Sequence, residues 1–376
     1  MKAIGKLAAV FGLVALLVGP VLQDAHAGFL DRLKSKAKQE AEKKALEIAK
    51  EKAAKMLKKE VSQPPEEPED EFMGEYGGTF TPAGGAETPA RATVVGYLDR
   101  KKGAWHWDVV LTWGRDVVDL KRRPEKEVKL KGARQGSKLV LSDGDWSGQI
   151  TGRKLSAAGK DGKFALRYTV RKSPTSGAKP PAGAVVLLPF QEGKPTSLDE
   201  WTNKKLVLLS DGSAMVRGGG SLTTRKFKDF KVHIEFYCPY QPDRTGQGRA
   251  NSGCYMHSKY EVQVLDSFGL AGRNNEAGGI YTVRDPDVNA ALPPGQWQTY
   301  DITFRGPRIA DDGTVKEWGK FIEVLHNGVK VQENVEVRKV TTGGRGKDHV
   351  EVGPIMLQDH GNPVRYRNIW LLETKD

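Results

Sequence analysis

Acid–base groups recur at alternating positions of short apolar runs in the second half of this 376-residue chain. Over residues 260–265 the alternation puts Glu261 and Gln263 on one side of a strand, with Val262 and Val264 on the other. Over residues 231–237, Val232, Ile234 and Phe236 share one side, and His233, Glu235 and Tyr237 share the opposite one. Asn251-Ser252-Gly253, Tyr255, Trp297, His326 before Asn327-Gly328, and the run Gln358-Asp359-His360-Gly361-Asn362-Pro363 add amides, a hydroxyl, rings and imidazoles. Carboxylates and a histidine projecting from neighbouring strands could supply an acid and a base, as sugar chemistry requires. Tyr and Trp beside them would stack on a sugar ring. Most polar residues that alternate along strands simply face water, so the groups packed beside glycines are the more informative ones. The chain has no His-x-His, HExxH, Gly-x-Ser-x-Gly, Walker or Rossmann fingerprint.

The elements that must position these groups are strands. Gly 43 and Pro 20 point to a turn-rich chain, and 38% hydrophobic residues suffice for a core but not for a polytopic membrane protein. From residue 182 to 376 strand-like runs follow one another with no long helix between them, which predicts an all-β, two-sheet sandwich. Residues 91–181 read as a smaller β-rich module with Trp105, Trp107 and Trp113, which either anchor its core or line a sugar-stacking face. Residues 63–90 hold seven carboxylates and no Lys or Arg before Arg91, among prolines and glycines, and read as a linker. Residues 28–62 carry apolar positions every three to four residues and predict a charged amphipathic helix: a solvated stalk, a weak coiled coil or a surface-adsorbing arm. Residues 1–27 combine a basic start, an apolar run and Ala25-His26-Ala27, the three parts of a cleaved signal peptide. A periplasmic or secreted location follows, and in that compartment a Cys238–Cys254 disulfide is allowed. The net charge of +12 comes from scattered lysines and the helix rather than a nucleic-acid motif. It suits loose association with an anionic envelope or polysaccharide.

Residues 183–373 resemble the 3-keto-disaccharide hydrolase domain, a concanavalin/laminin-G-like jelly roll common in planctomycete-like secreted proteins. The resemblance rests on Lys226-Phe227-Lys228-Asp229-Phe230, on Gly248-Arg249-Ala250-Asn251-Ser252-Gly253-Cys254-Tyr255, and on Tyr260-Glu261-Val262-Gln263-Val264-Leu265-Asp266-Ser267-Phe268-Gly269. It continues through Gly278-Gly279-Ile280-Tyr281, Trp297-Gln298-Thr299-Tyr300-Asp301-Ile302 and His326-Asn327-Gly328-Val329, and closes on residues 357–370. The resemblance implies cleavage of glycosides whose sugar is oxidised at C3. The ketone acidifies the C2 proton, a base removes it, the aglycone leaves C1, and water adds to the enone. Glu261, His360 and Asp359 are the candidates for proton transfer or for contact with a divalent metal. Asn251, Tyr255, Gln263, Trp297, Glu235, Gln358 and His326 are the candidates for holding the sugar. No nicotinamide is needed in this step. The chain has Ala277 and Ala290 where many members have cysteines, which puts substrate range in doubt and suits a replacement bridge between Cys238 and Cys254. The alternative function is a non-catalytic carbohydrate-binding or cell-surface module, since the same fold binds sugars without cleaving them.

Overall fold

In the computed structural model, residues 61–202 and 205–374 are described, together with Lys36, Gln39, Glu40, Lys43, Lys44 and Glu47. The expected signal peptide lies outside the described residues.

Eight short strands come first: β1 (Gly74–Pro82), β2 (Thr88–Asp99), β3 (Ala104–Trp113), β4 (Glu127–Gln135), β5 (Lys138–Asp143), β6 (Trp146–Thr151), β7 (Lys154–Gly159) and β8 (Gly162–Thr169). Each pairs antiparallel with the next, and β8 returns to β1 with Tyr76 opposite Tyr168 and Phe80 opposite Phe164, closing a barrel. Alternate residues fill the interior: Ala90, Ala92 and Val94 from β2, Trp107, Val109 and Leu111 from β3, Leu139 and Leu141 from β5, Phe164 and Leu166 from β8. At eight strands such side chains are enough to fill a barrel, and closure leaves no edge to pair with another chain.

The second half supplies β9 (Val185–Leu188), β10 (Leu206–Leu208), β11 (Ala214–Val216), β12 (Ser221–Leu222), β13 (Asp229–Tyr237), β14 (Ser252–Met256) and β15 (Tyr260–Val264). It continues with β16 (Trp297–Arg305), β17 (Arg308–Ile309), β18 (Val315–Glu317), β19 (Gly319–His326), β20 (Val329–Val337), β21 (Met356–Leu357) and β22 (Arg365–Glu373). The larger sheet runs β10-β11-β22-β13-β16-β19-β20 with β9 beside β22, and a smaller one runs β12-β21-β14-β15. Phe230, Val232, Ile234 and Phe236 of the larger sheet share one core with Cys254, Val262, Val264 and Leu357 of the smaller. This is the alternation expected for residues 231–237 and 260–265.

The chain from Val61 onward forms one compact unit containing both the barrel and the two sheets. Arginines join them. The Arg123 guanidinium donates to the carbonyls of Gly272, Pro286 and Asp287. Arg171 pairs with Glu75 of β1 and donates to the carbonyls of Ala290 and Ala291. Asp70, ahead of the barrel, accepts from the Trp107 indole and the Tyr240 hydroxyl.

Three expectations need correction. The fold is not a sandwich with a minor module and an N-terminal amphipathic helix. The first half is a complete closed barrel, and among the described residues no helix is longer than the four-residue turn Arg115–Val118. Six residues of the expected helix are described, each helical and exposed, but they make no continuous element, and the rest lie outside the described residues. Alanine and lysine periodicity offered little apolar area to bury, so it was a weak basis for a helix. The stretch read as a linker contains β1, because its few large aromatic residues, Phe72, Tyr76 and Phe80, all join the barrel core. Its glycines serve close approach: a Cβ at Gly78 would strike the Ala165 carbonyl on β8. Finally, Cys238 and Cys254 are both free and buried. Cys254 sits on the inner face of β14 and faces the Tyr366 hydroxyl, while Cys238, just past β13 on the other sheet, faces the Ala250 carbonyl. Burial pushes the Cys254 thiol up to about 12 and Cys238 well up too, so neither forms the thiolate that disulfide exchange requires.

Candidate functional site

On the smaller sheet the registers Gly253↔Gln263 and Tyr255↔Glu261 bring four positions to the face turned away from the core. The missing side chain at Gly253 is what makes room there, since a Cβ would collide with Glu261 Oε1 and the Tyr255 ring. Gln358 follows β21, its N–H bonded to the Gly253 carbonyl, so its amide joins the same face and donates to the Tyr255 hydroxyl at 2.8 Å. The loop at residues 341–345 closes over them. Thr341 Oγ1 accepts from the Glu261 N–H at 3.0 Å, and the Tyr255 hydroxyl lies 3.4 Å from the Thr342 carbonyl.

Glu261 is only 2% exposed. Burial drives its carboxyl up to about 8, with a hydrogen bond from Tyr255 pulling the other way. No cation pairs with its side chain among the described residues. Burial likewise raises the Tyr255 hydroxyl far above its ordinary value, so it stays protonated and remains a donor. Two neighbouring acceptors are unfinished. Gln263 donates to Gln247 Oε1 and toward the Asn275 carbonyl, and Asn251 donates to the Gln247 carbonyl and side chain. Those carbonyls fix both amide orientations, leaving Gln263 Oε1 and Asn251 Oδ1 buried with no donor. A buried acceptor without a donor is costly, and a sugar hydroxyl is the kind of group that would complete it. Glu261, Tyr255, Gln263, Gln358 and Asn251 therefore form one continuous polar face.

The other expected residues fall elsewhere. Asp359 is engaged in the turn after β21, where its two oxygens accept from the Gly219 and Gly361 N–H groups, and His360 beside it is exposed. Among the described residues no three His, Cys, Asp or Glu side chains converge as metal ligands, and Glu261, Asp359 and His360 do not form such a set. Glu235 lies on the outer face of the larger sheet. It is wholly buried and bound by Gly177 N–H, Arg367 and Asn368. Trp297 shares that face, stacked under the Arg367 guanidinium at 4.1 Å. His326 points into the core between the sheets, bonded to Gln298 and packed on Phe236 and Tyr300; burial lowers it to about 3, so it is neutral.

Sequence reasoning missed Thr341, Gln247 and Asn275, and also Gly343, where a Cβ would strike the Tyr255 hydroxyl. The one available signal was Thr341-Thr342-Gly343-Gly344, a hydroxyl-and-glycine run of the same kind as Asn251-Ser252-Gly253. Also missed was the partner set of His233: Asp301 at 2.6 Å from Nδ1 and Glu235 at 3.5 Å from Nε2. Burial opposes protonation of His233, and the two carboxylates overcome it, raising the imidazole to about 9.

A family model for the 3-keto-alpha-glucoside-1,2-lyase-like domain matches residues 184–372, the two sheets and their loops, and leaves the barrel outside. Among solved structures, a Parabacteroides distasonis protein assigned to the glycosyl hydrolases is 34% identical over 51% of this chain and 84% of its own, with a TM-score of 0.46. A second such protein from the same organism is 18% identical, over 51% and 95%, with a TM-score of 0.36. No curated protein matches the chain. The family match spans half of the chain and coincides with the sheets that carry Glu261, so kinship and site fall on the same residues. The chain belongs to the 3-keto-alpha-glucoside-1,2-lyase-like domain family, whose setting is carbohydrate-active chemistry.

Proposed function

We propose that this protein cleaves glycosides of 3-keto sugars by elimination across C1 and C2, with Glu261 as the base. One observation carries the reading: a carboxyl buried without a cation and raised to about 8, where a general base for work near neutral pH is best placed. The Glu261 carboxylate takes the proton from C2. The electron pair of that C–H bond moves into a C2–C3 enolate, then returns to form the C1–C2 double bond as the C1–O bond breaks, and the departing oxygen takes the proton that Glu261 removed. Negative charge develops on the C3 carbonyl oxygen meanwhile. The Tyr255 hydroxyl and the Gln358 amide are the donors beside the base that would receive it. Gln263 Oε1 and Asn251 Oδ1 accept from sugar hydroxyls and orient the ring. Addition of water across the resulting double bond completes a net hydrolysis. Export of the chain, expected from residues 1–27, would place this reaction outside the cytoplasm.

The test is aglycone release from a 3-keto-glucoside and from the same glycoside unoxidised, followed against pH. Release from the keto substrate alone, rising with pH to a plateau above about 8 as Glu261 ionises, is the expected result. Equal release from both substrates, or a profile with no limb near 8, would sink the reading.

A further inference from the structure

The barrel has a site of its own. Beside the N-terminal approach to β1 lies a groove of about 990 Å³ lined by Glu69, Asp70, Glu71, Trp105, Trp107, Ala133, Arg134 and Arg153. Its aromatic floor is built as a pair. Trp107 is buried and tied to Asp70, while Trp105 stacks on it with centroids 5.8 Å apart and planes 20° from parallel. Trp105 is half-buried, and its indole N–H has no partner among the described residues although it is not enclosed.

Around this ring stand planar charged groups of both signs. Arg134 is held by Glu71 at 2.6 Å. Glu69 is exposed. Arg153 lies over the Tyr168 ring at 4.4 Å, and its guanidinium makes no hydrogen bond or ion pair among the described residues. Its backbone is an independent sign. Gly152 and Arg153 form the two-residue turn between β6 and β7, with φ of 53° and 60°. A turn with positive φ at both positions favours glycine, or asparagine and aspartate, and arginine there is strained. The guanidinium so placed rests on the Tyr168 ring and keeps its donors free at the groove.

We propose that this groove binds a neutral oligosaccharide of equatorially substituted pyranoses. Trp105 offers the apolar ring face such a sugar packs against. Arg153, Arg134, Glu71 and Glu69 supply donors and acceptors for its hydroxyls. Three carboxylates against two guanidinium groups disfavour an acidic glycan. The site belongs to the barrel, outside the family-matched residues, and does not depend on the role of Glu261.

Isothermal titration of the full chain with cellohexaose tests it, with polygalacturonate as the acidic counterpart. Saturable binding of cellohexaose is expected, at least tenfold weaker in Trp105→Ala and in Arg153→Gly, and unchanged in Glu261→Gln. Arg153→Gly should keep or raise the Tm, because glycine relieves the turn, so its lost affinity cannot be ascribed to unfolding. If Trp105→Ala fails to fold, Arg153→Gly decides alone. No saturable binding, preference for polygalacturonate, full affinity in Arg153→Gly, or affinity lost in Glu261→Gln would each overturn the proposal.

Discussion

Two buried carboxylates, Glu261 and Glu235, sit on outward faces of the two sheets and have opposite electrostatics. Glu261 has no cation, few donors and unfinished neighbours, and burial leaves it at about 8. At Glu235 burial also works to raise the carboxyl, but His233, Asn368, the Gly177 N–H and Arg367 together overcome it and hold it near 2. Thr175 completes that second cluster by donating to Asp301 and sharing a hydroxyl contact with Thr299. The Glu235 cluster thereby fixes residues 173–178, which leave the barrel, onto the larger sheet. Ionic pairing holds chain segments together here, with His233 Nε2 left 3.5 Å from Glu235 without a hydrogen bond, whereas neutral acceptors with no donor beside Glu261 leave capacity for a ligand.

The largest effect should come from Glu261→Gln. Removing a general base is expected to lower aglycone release by about 10²–10⁴-fold. Stability should move the other way. The folded carboxyl is raised above its unfolded value, so its contribution declines as pH rises from about 4.5 to about 8. Glu261→Gln escapes this loss, so its Tm should match the parent at pH 4 and exceed it at pH 9. A parent-like rate in this variant would break the contrast.

Glu235→Ala should do the reverse. It strands His233 and Arg367 beside an emptied position, and breaking a buried ionic network by one partner costs about 3–5 kcal/mol. Denaturant unfolding at pH 7 measures it. The His233 resonance should also titrate lower than in the parent, since one of the two carboxylates raising it is gone. A loss under 1 kcal/mol would show that Glu235 is not fastening the segment.

The smallest shift is in the pH limb, and it sharpens the comparison separately from the rate that Tyr255→Phe loses as a donor to the C3 oxygen. The Tyr255 hydrogen bond lowers Glu261, so Tyr255→Phe should move the pH limb of activity upward. One hydrogen bond of about 1 kcal/mol corresponds to less than one pH unit. A limb that moves downward would mean that Tyr255 does not hydrogen-bond the carboxylate form.

The strand alternation of residues 260–265 was enough to pair Glu261 with Gln263, and that of residues 231–237 to place Glu235 on the face opposite Phe236. Alternation assigns a side of a strand, however, and not which sheet the strand joins or what covers it. For that reason the sequence groups Trp297 and Glu235 with Glu261, although they lie on the other sheet, and offers His326 as a ligand contact although it points into the core. The barrel was legible as strands but not as a closed body, because closure depends on β1 pairing with β8 some ninety residues away. Phe72, Tyr76 and Phe80 among glycines and carboxylates give no alternating sign of it. Thr341 reaches Glu261 from eighty residues downstream, and only tertiary structure makes that connection.

The arginines that bridge the two halves bear on autonomy. The family-matched stretch begins at residue 184, but the carbonyls of Gly272, Pro286, Asp287, Ala290 and Ala291 find donors in Arg123 and Arg171, ahead of that point. Thr175 and Gly177, which complete the Glu235 cluster, also precede it. A chain started at residue 184 would have the whole kinship segment and lack the donors that settle its loops, including the loop whose Asn275 carbonyl orients Gln263. In this protein the segment shared with the family is smaller than the compact unit it is packed into.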